Sequence, residues 1–76
     1  MRDWLERART EKGLTQAETA KKLGISENYY FRIEKGERQK KMDITLAAKL
    51  SVILDVPLED IFAYESEKGD EDAENG

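Results

Sequence analysis

The chain has 76 residues, no cysteine and no histidine, and a formal charge of −4 from 13 basic and 17 acidic side chains. This length allows one small domain, and the two missing residue types exclude disulfides, thiolate zinc sites, Ser-His pairs and the usual zinc or haem ligand sets. The longest bulky apolar run is Val52-Ile53-Leu54, too short for a membrane span or a signal-peptide core, so a cytoplasmic protein without metal or cofactor is expected.

Helix signals dominate the chain. Gly13, Gly24 and Gly36 each follow a run of helical composition with lysine in its last turn (Lys12, Lys21-Lys22, Lys35), the usual helix stop. Thr15, with Glu18 three residues on, reads as a capping box. Ser26 and Asp43 precede the next two helical runs, and Pro57 suits the first turn of a last short helix. Five helices are therefore predicted, over residues 2–12, 16–23, 27–35, 44–54 and 57–63, with no strand signal. Trp4, Leu5 and Ala8 form one apolar stripe and Ala20 with Leu23 another. The longest comprises Leu46, Ala47, Leu50, Ile53 and Leu54. Each helix is too short to stand alone, so the stripes must pack into a compact all-α domain.

A pI near 4.8, taken whole, argues against a nucleic-acid partner. The charge is uneven, however. Residues 65–76 hold six acids and one base, whereas residues 1–64 hold 12 bases and 11 acids. The acidic end has one alanine as its only apolar residue and is expected to be disordered. That places a domain at 1–64 and a tail at 65–76. Arg32, Lys35, Arg38, Lys40 and Lys41 make a local basic stretch. Taken alone, it reads first as a solvated loop.

The second and third helices are joined by only Gly24-Ile25-Ser26, a helix-turn-helix spacing over residues 16–35. Ala20 allows close approach of the helices, Gly24 suits a positive φ, and Ile25 and Ile33 anchor the second helix. Leu14-Thr-Gln-Ala-Glu-Thr-Ala-Lys-Lys-Leu-Gly-Ile-Ser26, then Arg32-Ile-Glu-Lys-Gly36 and Ala48-Lys-Leu-Ser-Val-Ile-Leu-Asp-Val-Pro-Leu-Glu-Asp-Ile-Phe62, closely resemble the Xre family of phage-repressor-like helix-turn-helix domains. The resemblance spans roughly residues 5–62. It implies a five-helix, lambda-repressor-like domain that binds double-stranded DNA, usually as a homodimer on a palindromic operator, and acts as a transcription regulator.

Carried over by position, the resemblance makes Glu27, Asn28 and Arg32 base-reading residues. It makes Gln16 a phosphate contact and brace for the reading helix, Ser26 a cap that touches the DNA backbone, and Lys35 a phosphate contact. Arg9 and Glu34 match a buried ion pair between the first and third helices. The residue chemistry is compatible: Asn suits adenine, Arg suits guanine or a phosphate, and Glu27 either accepts from a cytosine amine or repels wrong sites. Thr15, Tyr29, Arg38, Lys40 and Lys41 complete the expected DNA-backbone set. Tyr30, where the family usually has a β-branched aliphatic, is expected to pack with its hydroxyl at the rim. Thr19, where leucine is usual, makes room for that bulk. Phe31 projects near the reading face, either towards a thymine methyl or as part of a partner surface.

A single reading helix covers few base pairs, which favours a homodimer. Val52, Ile53, Leu58, Phe62 and Tyr64 are its expected contact surface. The alternative is an antitoxin-like or other protein-interaction module that keeps the fold and binds a basic partner through the acidic tail. Nothing in the sequence supports an enzyme: it offers no phosphate-cradling glycine loop and no nucleophile paired with a base.

Overall fold

Apolar stripes that recur every three or four residues can be buried only where helices meet. The computed structural model describes the backbone of residues 1–75 and the side chains of residues 1–66. Its helices are α1 (Asp3–Glu11), α2 (Gln16–Leu23), α3 (Glu27–Lys35), α4 (Ile44–Leu54) and α5 (Leu58–Asn75), with no strand among the described residues. The first four agree with the predicted spans to within a residue at each end.

The local chemistry sets those ends. The Thr15 hydroxyl accepts from the Glu18 N–H at 3.0 Å, and the Glu18 carboxylate accepts from the Thr15 N–H at 2.9 Å, closing the capping box of α2. Gly24 then ends α2 with φ 76° and ψ 29°, a left-handed conformation that a side chain would strain. Asp43 has the extended backbone of a cap but makes no capping bond with its side chain. Its N–H instead donates to Gln39 Oε1 at 2.9 Å, which ties the loop after α3 to the start of α4. Asp55 ends α4 in the left-handed region, where a short polar side chain is tolerated.

One core forms from all five helices: Leu5, Ala20, Leu23, Tyr30, Ile33, Ala47, Leu50, Leu54 and Ile61 are buried together. Thr19 is also fully buried, and its hydroxyl donates to the Thr15 carbonyl at 2.9 Å within the helix, so no polar atom is stranded there. Tyr30 departs from expectation. Its side chain is fully buried with the hydroxyl, which has no hydrogen-bond partner of normal geometry among the described residues. The ring is drawn inside because Ile33, three residues on, faces the same core.

The last helix also differs from expectation. The short last helix expected over 57–63 is longer, and Glu65, assigned by composition to a disordered tail, lies in α5 and packs on the N-terminal segment. The Arg2 guanidinium and the Trp4 indole both bind it, and these partners have no local sequence signature. The rest of the expected tail, residues 67–76, lies outside the residues whose side chains are described.

Candidate nucleic-acid interface

Helix α3 starts at Ser26, whose hydroxyl accepts from the Tyr29 N–H at 3.1 Å, and ends at Gly36. At about 100° per residue, Tyr30, Ile33 and Glu34 occupy one side of this helix. All three are buried. Glu27, Asn28, Phe31, Arg32 and Lys35 fall within an opposite arc of roughly 140°, and all five are exposed. The three residues expected to read bases are thus brought together on one open face. Gln16, at the start of α2, joins them: it lines a shallow recess with Glu27, Asn28 and Phe31.

That face is braced from behind by a buried ionic network. Arg9 Nε donates to Glu34 Oε2 at 2.7 Å, and its Nη1 donates to the Leu14 carbonyl at 2.8 Å. Gln16 Nε2 donates to Glu34 Oε1 at 3.1 Å, so α1, α2 and α3 share one carboxylate. Burial opposes ionisation of Glu34. Arg9, then the adjacent Tyr30 hydroxyl and Gln16, outweigh it and hold the carboxyl below the usual carboxylate range. The same hydrogen bond to Glu34 raises the Arg9 pKa against the effect of its own burial. The Tyr30 phenol is pushed far up, first by burial, then by its hydroxyl's approach to the Glu34 carboxylate and by that carboxylate's charge. Glu34 is therefore an anion, Arg9 a cation and Tyr30 neutral.

A second brace was not legible in the sequence. Arg2 is 1% exposed. Its guanidinium forms a bidentate pair with Glu65, both bonds 2.9 Å long. It also donates to the carbonyls of Ile33 at 2.6 Å and Arg38 at 3.1 Å, and to that of Gln39. All five guanidinium N–H donors are used. The Arg2 N–H meanwhile bonds the Glu34 carbonyl at 2.8 Å. Trp4 Nε1 donates to Glu65 at 2.8 Å, and its ring stacks on Tyr64 with centroids 5.4 Å apart. The end of α3, the loop behind it and α5 are thus fastened through one arginine. A charged residue ahead of the first helix carries no sequence signal for such a role.

Two helices crossing through a three-residue turn, with the second held rigidly and its polar face left open, is the geometry of a helix-turn-helix. Residues 5–61 match the helix-turn-helix family. The chain belongs to the Xre-like helix-turn-helix family. It is 38% identical over 68 residues to an uncharacterized HTH-type transcriptional regulator of Methanocaldococcus jannaschii, covering 90% of this chain and 100% of that protein. It is also 51% identical over 39 residues to an uncharacterized HTH-type transcriptional regulator of Bacillus subtilis, about half of each chain. No solved structure was found to match.

Within this Xre-like frame the other expected contact residues are spread around α3. Thr15 and Ser26 are exposed at the starts of α2 and α3, where first-turn N–H groups lack intrahelical partners. Arg32 pairs with Glu37 at 3.1 Å on the surface, an interaction weak enough to exchange for a DNA group. The Tyr29 hydroxyl accepts from Gln39 Nε2 at 2.9 Å, which turns it towards the loop. Arg38, Lys40 and Lys41 are exposed along that loop. Of the expected dimer surface, Val52, Phe62 and Tyr64 are exposed, whereas Ile53 and Leu58 pack partly against the core. No helix among the described residues is long and apolar enough to cross a membrane.

Proposed function

We propose that the protein binds specific double-stranded DNA sequences as a small cytoplasmic transcriptional regulator acting as a repressor, with α3 in the major groove. Family membership supports DNA binding. The observation that carries the finer reading is the open arc of Glu27, Asn28, Arg32 and Lys35 on a helix whose other side is locked by Arg9, Glu34 and Arg2. A rigid scaffold presents these side chains to base edges without a further cost for ordering the backbone. Asn28 reads adenine and Arg32 reads guanine, while Thr15, Gln16, Ser26, Tyr29, Lys35, Arg38, Lys40 and Lys41 set the register on phosphates. Two copies bind a palindrome, joined around Val52, Phe62 and Tyr64.

Selection from a random duplex library tests this reading. Arg32→Ala should cost about 1–3 kcal/mol at one base position and relax the preference there. Lys41→Ala should weaken all sequences alike and lower the salt slope by about 1. Equal effects of both changes on every sequence would refute base reading by α3. The acidic segment 65–76 motivates a second reading, in which a basic protein partner binds it. Loss of a stoichiometric partner on removal of residues 67–76, with no enriched DNA sequence, would favour that alternative.

A further inference from the structure

We propose that Phe31 is a specificity residue that reads the C5-methyl group of a pyrimidine in the major groove, with Lys35 holding its ring in place. The proposal rests on the reading of α3 as the DNA-reading helix and assigns that helix a contact of a different chemistry. Phe31 lies 40° around the helix from Glu27, by the roughly 100° period, and between Glu27 and Asn28 on the open arc. It is 41% exposed and belongs neither to the buried core nor to the apolar residues that pack around it. The fold therefore gains little from an aromatic ring there, and phenylalanine is not a strong helix former. The other four residues of the arc are polar or charged.

The surroundings favour a small apolar group next to hydrogen-bonding base edges. Phe31 lines one recess with Gln16, Glu27 and Asn28. The Lys35 ammonium sits 5.1 Å from the ring centroid, one helical turn on, and restrains the ring through a cation–π contact. Major-groove edges present donors and acceptors, and the C5-methyl of thymine is their apolar landmark. Asn28, suited to adenine, and Phe31, suited to the methyl of its partner base, make complementary demands on an A·T-containing step. 5-Methylcytosine presents the same methyl on a G·C pair, so the contact is to the group and not to thymine alone.

Base substitution in a selected site separates these contributions. The full chain is used to select a duplex, and each dT is replaced in turn by dU, which removes only the methyl. Binding is followed by fluorescence anisotropy at fixed salt. At one dT position at least, the wild-type protein should lose about fourfold in affinity, the worth of one buried methyl, and Phe31→Ala should lose less than about twofold. Placing dC there and then 5-methyl-dC should restore the methyl-dependent part for the wild type and not for Phe31→Ala. If only dT and not 5-methyl-dC supplies it, reading of the methyl group itself is overturned. Phe31→Ala should keep the wild-type circular dichroism and melting temperature, because the ring lies outside the core. Unchanged affinity with dU at every dT, or an equal loss by Phe31→Ala, overturns the assignment and leaves DNA reading by α3 intact. A chain that enriches no sequence overturns that reading and the Phe31 assignment with it.

Discussion

Glu34 and Tyr30 share a buried site, and their polar atoms are matched there to different degrees. Glu34 accepts from Arg9 and Gln16, so its charge is compensated. The Tyr30 hydroxyl is enclosed without a partner of normal geometry among the described residues. Burying an unmatched hydroxyl costs about 1–3 kcal/mol. Tyr30→Phe should therefore raise the unfolding free energy by about 1 kcal/mol in urea denaturation; a loss of that size would mean that the hydroxyl bonds Glu34. Glu34→Gln leaves Arg9 without its counter-charge and should cost about 3 kcal/mol at pH 7. The pH dependence follows from the lowered carboxyl pKa. The unfolded chain binds this proton more readily, so the contribution of Glu34 is present above its ordinary value of 4.5 and lost as pH falls through the lower folded value. Urea midpoints measured from pH 6 down to pH 3 should fall less steeply for Glu34→Gln than for the wild type.

At the scale of elements, α2 and α3 were legible because each carries its own start and stop. Helices α1 and α4 were legible because of their apolar stripes and a glycine stop or a polar residue before the first turn. Thr15 with Glu18, Ser26, and the three left-handed glycines act over three or four residues, the range over which sequence pattern is informative. The open face of α3 was legible for the same reason, since helical period alone separates Tyr30 and Ile33 from Asn28 and Arg32. The Arg2–Glu65 clasp was not, because its partners lie 63 residues apart and each resembles a solvated charge. Charge counting consequently placed Glu65 with the tail, although it packs on Arg2 and Trp4. The clasp makes a sharp prediction: truncation after Tyr64 should destabilise the domain by about 2 kcal/mol or more by stranding buried Arg2, whereas truncation after Ser66 should leave the thermal midpoint close to that of the full chain. Equal midpoints for the two truncations would show that the clasp contributes nothing.

For the whole molecule, the formal charge of −4 conceals a division of labour. All of the acidic excess lies beyond Tyr64, while five bases cluster from Arg32 to Lys41, on and after the proposed reading helix. The proposed association with DNA rests on a local positive surface and not on net charge, so its affinity should fall steeply with salt. The buried ties from α1 and α5 make the reading helix the rigid part of that surface. The amide chemical shifts of the labelled full chain, followed as a selected duplex is added, test this account most directly. It predicts that the large changes cluster at Gln16, Ser26 to Arg32, Lys35 and the loop to Lys41, and that Ala47 and Leu50 in the core of α4 stay nearly fixed. Changes confined to α4 and α5, with α3 undisturbed, would contradict it.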